Sequence, residues 1–224
     1  MSEALDDSGL ARVETAEIVR EYGPYPGGDR VNGVSYDGKH VWFASGGTLH
    51  AFDPATGERV RSIEVACDAG TAYDGRHLFQ LAAGRIHKID VETGRVLSSL
   101  AAPGGHGEAA GLTWAEGTLW VAQHYSRKIV QIDAESGEVL RTLESDRFVT
   151  GVTFADGELW HATLESDESE LRRIDVDSGQ VRVRVTMPQG VYVSGLESDG
   201  RDVLYCGGGR SGRVRAVRKP ERSR

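Results

Sequence analysis

The sequence predicts an all-β protein, a five-bladed β-propeller with four-stranded blades. One pattern recurs five times along the 224 residues, and its marker glycines lie 37, 41, 40 and 44 residues apart, a period typical of propeller blades. These marker glycines are Gly33, Gly70, Gly111, Gly151 and Gly195. The longest apolar runs are also strand-sized and are separated by turn residues. We therefore predict one propeller domain that spans residues 1–224.

Each repeat contains signals for four strands. The first strand begins at the marker glycine and ends in a two-residue turn such as Asp37-Gly38, where glycine supplies the positive φ of a hairpin turn. The second is apolar on both faces, as expected between two neighbouring sheets. The third leads through an Asp-x-x-Thr/Ser-Gly turn, such as Asp53 to Gly57, into the fourth. The predicted blades span residues 31–66, 67–103, 108–145, 148–187 and 192–219.

The fifth repeat lacks a fourth strand, because Pro220 and the chain end follow its third strand. Residues 12–22, "RVETAEIVREY", resemble the fourth strands and precede the first marker glycine. We predict that this segment closes the ring by pairing with the C-terminal blade, which removes open sheet edges. The pairing would also join basic and acidic side chains, namely Arg213, Arg215 and Arg218 with Glu14, Glu17 and Glu21. Binding of an acidic partner is the alternative role for the basic tail.

Composition excludes several classes of function. The net charge of −8 argues against a nucleic-acid-binding protein, and the apolar runs fall short of the roughly 20 residues that a membrane-spanning helix needs. The acidic N-terminus lacks the basic and apolar regions of a signal peptide, so we expect a cytoplasmic protein if no leader has been removed. Cys67 and Cys206 lie far apart in the sequence and are predicted to be reduced thiols.

The repeat "DG..LWVA......I..ID..SG.V" covers essentially the whole chain. It resembles the blades of the β-propeller superfamily that includes YVTN and quinoprotein-like repeats and virginiamycin B lyases. Five blades and this length also resemble plant-type glutamine cyclotransferases. That resemblance implies a glutamate immediately before a marker glycine, and this sequence departs from it. The residues at those positions are Asn32, Ala69, Ala110, Thr150 and Ser194.

Residues that recur in every blade serve the fold, so residues that break the repeat are candidates for function. Four of the seven histidines occupy repeated positions and are interpreted as scaffold or surface: His40, His77, His50 and His87. The other three have no counterparts in sister blades: His106, His124 and His161. His106 and His124 fall on irregular connections at one end of the propeller, where binding loops usually lie. His161 lies on a second strand and could lie beneath the same channel mouth.

We predict a catalytic set of His106, Glu108, His124 and His161 at this channel mouth. A histidine beside a carboxylate suits general acid–base chemistry near neutral pH. The predicted substrate-binding residues are Asn32, Asp68, Gln123, Tyr125, Arg147 and Tyr192. The structural alternative for His161 is a buried ring bonded to a backbone carbonyl, and for His124 it is a packed or solvated loop residue.

Two functional hypotheses follow. The first is a small cytoplasmic enzyme, lyase-like or cyclotransferase-like, that acts on a small polar molecule by acid–base catalysis. The second is a non-catalytic module that binds a ligand or a protein on the same face. A divalent metal could be held by the three histidines and the carboxylate, as the resemblance to virginiamycin B lyases implies, although no close ligand spacing occurs. No other cofactor, no nucleic acid and no membrane partner is predicted.

Overall fold

The computed structural model of the chain describes residues 11–26, 30–105 and 107–221. Their regular structure consists of 21 strands in five sheets. None of the described residues forms a helix of the length and hydropathy that crossing a membrane requires. The predicted five-bladed β-propeller is confirmed.

Two short strands precede the first blade: β1 (Arg12–Thr15) and β2 (Ile18–Tyr22). Blade one consists of β3 (Val34–Tyr36), β4 (Val41–Ser45), β5 (Thr48–Phe52) and β6 (Arg59–Glu64). Blade two consists of β7 (Thr71–Tyr73), β8 (His77–Ala82), β9 (Arg85–Asp90) and β10 (Val96–Ala101).

Blade three consists of β11 (Ala109–Ala115), β12 (Thr118–Gln123), β13 (Lys128–Asp133) and β14 (Val139–Glu144). Blade four consists of β15 (Phe148–Ala155), β16 (Glu158–Glu165), β17 (Glu168–Ile174) and β18 (Val181–Thr186). Blade five contains β19 (Gly195–Ser198), β20 (Val203–Gly207) and β21 (Val214–Arg218). The strands within each blade follow one another as antiparallel neighbours.

Five glycines bring the innermost strands into backbone contact around the channel axis. A Cβ atom on Gly70 would lie 2.4 Å from the amide nitrogen of Leu112, and one on Gly195 would lie 2.7 Å from the carbonyl oxygen of Asn32. The other three marker glycines face the backbone of the following blade in the same way. The contacts therefore close a circle that admits no side chain at this level. We call Gly33, Gly70, Gly111, Gly151 and Gly195 the glycine ring.

The N-terminal segment closes the propeller on two blades. β2 pairs antiparallel with β21 as the fourth strand of blade five, as predicted for the closing strand. β1 instead pairs in parallel with β18 at the outer edge of blade four. The single strand expected over residues 12–22 is therefore two strands, and each covers an outer sheet edge that would otherwise be open.

Ion pairs between the two chain ends accompany this closure. Arg218 pairs with Glu17 at 2.8 Å, and Arg215 pairs with Glu21 at 2.6 Å. The prediction was wrong for Glu14, because this residue lies on β1 against blade four and pairs with Arg12 at 2.7 Å. Cys67 and Cys206 are free and buried, as predicted.

The two ends of the propeller differ in character. One end carries the repeated turns, in which the Asp37 carboxylate accepts hydrogen bonds from the backbone N–H of His40 at 2.6 Å and from the Trp42 indole at 2.7 Å. The other end, which we call the loop face, carries the connections between blades and the loops between second and third strands. Its described residues include 65–70, 102–105, 107–108, 124–127, 145–147, 166–167 and 187–194.

Replacing Gly70 with Ala is expected to destabilise the fold by about 3 kcal/mol or more, because the added methyl overlaps the backbone of blade three and forces the strands apart. Gly117 provides the control. It lies in a turn with φ of 82° and open space around it, so Gly117→Asn should cost about 1 kcal/mol or less, since Asn tolerates positive φ. Thermal and urea unfolding would compare the two variants. Equal stability losses would contradict the structural role of the ring.

Candidate functional site

His124 lies on the loop face, between β12 and β13. Its ring stacks on Phe148 with centroids 5.1 Å apart, and Tyr125 meets it edge-on at 4.8 Å. Its Nδ1 lies 3.0 Å from the carbonyl oxygen of Val149. Because a carbonyl oxygen only accepts hydrogen bonds, Nδ1 carries the proton and the neutral ring keeps its lone pair on Nε2. Within the described residues, Nε2 has no hydrogen-bond partner.

Glu108 lies directly opposite His124 across the first two strands of blade three. Its backbone carbonyl accepts a hydrogen bond from the N–H of His124 at 2.8 Å. Its Oε2 accepts hydrogen bonds from the backbone N–H and the hydroxyl of Ser126, at 3.0 Å and 2.9 Å. The structure thus brings Glu108 and His124 together, with the carboxylate fixing the loop that carries the histidine. His106, another member of the predicted catalytic set, lies outside the described residues.

An exposed group of aromatic rings surrounds His124. Tyr125 is 67% exposed, and its ring lies 6.3 Å from that of Phe148. The guanidinium of Arg127 lies 4.4 Å from the centroid of Phe148, a cation–π contact. We call His124, Tyr125 and Phe148 the aromatic patch. Aromatic side chains combined with a few fixed polar atoms are typical of the lining of small-molecule sites.

Two further predicted binding residues lie nearer the channel axis. Gln123 is buried beneath the glycine-rich connection into blade three, where a Cβ atom on Gly104 would lie 2.4 Å from its Nε2. Asn32 precedes the glycine ring in blade one, is half-buried, and donates its backbone N–H to Ala44 at 3.0 Å. Both therefore border the loop-face end of the channel.

Asp68 and Tyr192 make contacts within the loop face. The Asp68 carboxylate accepts a hydrogen bond from the backbone N–H of Ala83 at 2.9 Å, which stabilises the turn between β8 and β9. The Tyr192 hydroxyl donates to Asp167 at 3.4 Å. Asp68 and Tyr192 bond to Ala83 and Asp167 rather than to His124. They remain predicted binding residues on another part of this face.

His161 is fully buried in β16, on the side of blade four that faces blade three. Neither ring nitrogen has a hydrogen-bond partner. Burial, and next the positive charge of Arg172, lower the pKa of His161 to about 3. The ring is therefore neutral at physiological pH and is not hydrogen-bonded to Glu108 or His124. It also lacks the backbone carbonyl partner that a structural histidine was expected to have.

Arg147 belongs to a buried ionic cluster beside His161. Its guanidinium lies 3.0 Å from Glu170, which also accepts hydrogen bonds from Arg172 at 2.7 Å and from Arg184. Burial alone would raise the pKa of Glu170, but the arginine hydrogen bonds outweigh it and lower the pKa to about 2. The charge of Arg147, a predicted substrate-binding residue, is thus paired with a carboxylate inside the protein.

The repeat comparison missed Glu197, the second residue after the ring glycine of blade five. It is buried, and its carboxylate accepts hydrogen bonds from the hydroxyls of Thr153 and Ser35 and from its neighbour's backbone N–H. Burial raises the pKa of Glu197 to about 7 despite these bonds. The equivalent residues in the other blades are small: Ser35, Ala72, Thr113 and Thr153. A carboxylate in that series breaks the repeat as clearly as the three histidines do.

Metal binding finds no ready site in the described part of the chain. No three histidine, cysteine, aspartate or glutamate side chains there are placed to share an ion. The divalent metal considered from the sequence would need a ligand from elsewhere, such as His106.

The comparisons with known proteins agree with the repeat architecture. The model of the PQQ_2 family, described as outer membrane protein assembly factor BamB, matches residues 45–109 and 82–219. The chain belongs to this family. A search of curated proteins finds no match.

Two solved structures resemble this PQQ_2 propeller. The glutaminyl cyclase of Myxococcus xanthus has a TM-score of 0.76 and 16% identity, and the alignment covers 93% of this chain and 98% of that one. The hydrazine synthase of Kuenenia stuttgartiensis has a TM-score of 0.51 and 18% identity, with 83% of this chain and 57% of that one covered. At these identities the likeness shows a shared fold.

Replacing His161 with Leu is expected to stabilise the propeller by about 1–2 kcal/mol at pH 7, because an apolar side chain of similar volume removes two unpartnered buried nitrogens. Gln80 occupies the same position in blade two and is the matched control. Its amide is hydrogen-bonded to Thr71, Ala69 and Leu81, so Gln80→Leu should destabilise. Urea unfolding would measure both. A destabilised His161→Leu protein would show that the ring has a partner in solution.

The same substitution should change the pH dependence of folding. The pKa of His161 falls from 6.5 to about 3 on folding, so its contribution to stability is complete above pH 6.5 and is lost as the pH falls toward 3. In this pH range the unfolded chain binds a proton at His161 and the folded chain does not. The free energy of unfolding therefore falls with decreasing pH by up to about 1.4 kcal/mol per pH unit. Between pH 7 and 4, the free energy of unfolding measured by urea titration should therefore change less with pH for His161→Leu than for wild type.

Proposed function

We propose that this protein binds a small polar molecule at the loop face over blades three and four, and catalyses proton transfer on it with His124. One observation carries the proposal: the ring of His124 packs against Phe148 and, edge-on, against Tyr125, with Nδ1–H held by the carbonyl of Val149. A base needs a fixed tautomer and a free lone pair. Nε2 has both.

Glu108 supports this assignment as a positioning residue. Its carboxylate anchors Ser126, and its main chain binds the N–H of His124. The loop is therefore tied to the first strand of blade three on either side of the imidazole. A rigid first contact with substrate is what acid–base catalysis requires, since small misplacements cost large factors in rate.

A cyclotransferase-like reaction is the chemistry we favour. The fold is shared with a glutaminyl cyclase over almost the full length of both chains, which supports the proposal without assigning an activity. Cyclising a glutaminyl group requires a proton to leave the attacking amine and another to reach the departing ammonia. A single histidine can do both near neutral pH. Ala110, one of the positions of the missing glutamate, lies in the strand irregularity opposite Ala122 and Gln123, next to His124.

Elimination at the same site is the lyase-like form of this proposal, and a metal ligand such as His106 would then be needed. Nucleic acid and membranes are not proposed partners, because the net charge is −8 and the sequence contains no apolar run of membrane-spanning length.

A second candidate is a non-catalytic, protein-binding module. The observation that favours it is a set of exposed apolar side chains on the outermost strands of blades one to three: Val60, Val96, Leu97, Val139 and Leu140. Apolar side chains on exposed outer strands are a common basis for protein association. The family description as an assembly factor supports the same candidate.

We expect the wild-type protein to release ammonia from peptides with an N-terminal glutamine. His124→Gln should lower kcat by about 10²–10⁴-fold, the usual contribution of a general acid–base group. His40→Gln, at the turn end of the propeller, is the matched histidine control and should leave kcat unchanged. Coupled ammonia assays from pH 5 to 9 would measure all three proteins.

A wild-type protein that turns over no glutaminyl peptide would contradict the cyclotransferase assignment. Titrating the same peptides while following the imidazole resonance of His124 by NMR would then test whether the aromatic patch binds a ligand without catalysis. A shifted resonance without turnover would support a binding site, and no shift at any concentration would contradict a ligand site at the aromatic patch.

A further inference from the structure

We propose that Glu197, with the hydroxyls of Ser35 and Thr153, forms a second site inside the channel that binds a small monovalent cation. This site is independent of the proposed function on the loop face. It lies beyond the glycine ring, toward the turn end, because Glu197 follows Gly195 by two residues on a strand that runs from the loop face to the turn face.

The position of the carboxylate comes from the repeat itself. Glu197 bridges the strands of both neighbouring blades, since Oε2 accepts a hydrogen bond from Ser35 of blade one at 3.2 Å and Oε1 accepts one from Thr153 of blade four. The equivalent positions in blades two and three hold Ala72 and Thr113, both buried. Four small residues and one long acidic residue therefore share one level of the channel.

The carboxylate has no positive partner. Its three hydrogen-bond donors are neutral: two hydroxyls and the backbone N–H of Ser198 at 2.9 Å. Within the described residues no arginine, lysine or histidine pairs with it or shifts its ionisation. Glu170 is the internal contrast, because it is also buried but is surrounded by Arg147, Arg172 and Arg184. A buried carboxylate is normally paired or bound to a metal ion.

The donor set indicates the class of ion. Carboxylate and hydroxyl oxygens are ligands for hard cations rather than for soft transition metals. The Ser35 hydroxyl, which donates to the carboxylate, keeps its lone pairs for an ion. The Thr153 hydroxyl keeps one, because it also accepts the N–H of Ser198 at 3.2 Å. One negative charge balances one positive charge, and the described residues contain no cluster of three histidine, cysteine or acidic side chains such as a divalent metal would use. These features favour an alkali-metal ion or ammonium over a divalent metal.

Binding should compete with a proton. The cation needs the ionised carboxylate, so each cation bound to the protonated form releases one proton. Ser35 and Thr153 on the neighbouring blades and Ser198 on the same strand do not titrate. Tyr205 lies opposite Glu197 on β20, and burial raises its pKa further above neutral pH. At pH values below the pKa of Glu197, the apparent affinity for the cation should therefore fall tenfold for each pH unit.

Thermal unfolding of the full chain at equal ionic strength would test this site, with sodium, potassium or ammonium chloride compared against choline chloride, whose cation is too large for a buried site. At pH 8 we expect a rise in Tm of at least about 2 °C in one of the small cations, and none at pH 4.5. Glu197→Gln should abolish this rise. Glu138→Gln, which removes an exposed carboxylate, should retain it.

Identical Tm values for wild type in all four salts at pH 8 would overturn the proposal, as would a cation effect that persists in Glu197→Gln. If that variant does not fold, proton release from the wild-type protein decides. Adding a small cation at pH 7 in a pH-stat should release protons that choline does not release, and equal release would overturn the site. The relative effects of sodium, potassium and ammonium identify which ion binds.

Discussion

The close approach of five backbones at the glycine ring is the constraint on which the rest of the structure depends. Each ring glycine contacts the next blade at distances that leave no room for a Cβ atom. The first strands therefore converge at the axis, and side chains near them must be small or must point along the channel. The ring also separates the loop face, with His124, from the inner level that holds Glu197. One steric rule thus produces two distinct chemical environments in a single propeller.

Buried ionisable groups differ strongly in ionisation between two places in the propeller: the interface of blades three and four, and the channel axis. Toward blade three, Glu170 is neutralised by three arginines and is strongly acidic, while His161 beside it stays neutral because burial and Arg172 both oppose its protonation. At the axis, Glu197 has only neutral donors and holds its proton up to about pH 7. Burial disfavours charge in all three groups, and only the presence of an opposite charge decides whether ionisation survives.

The sequence was sufficient for the fold because the repeat supplies five independent observations of one blade. Three signals can be recognised from local sequence alone: the marker glycines, the Asp-Gly turns and the spare N-terminal strand. The division of residues 12–22 into two strands was not predictable, because the parallel pairing of β1 with blade four depends on contacts between distant segments. The misplacement of Glu14 follows from the same long-range choice.

The candidate site was harder to predict, since departure from the repeat marks a residue as unusual without saying where its side chain points. His124 and His161 both depart, yet one lies on an exposed aromatic patch and the other lies sealed between blades. Arg147 has the charge to bind an anionic substrate, but in the folded protein it pairs with the buried Glu170. Glu197 was not predicted, although the equivalent residues of the other four blades are all small: Ser35, Ala72, Thr113 and Thr153. Glu197 is unusual because no positively charged side chain among the described residues pairs with it. That can be seen only once the five blades are assembled.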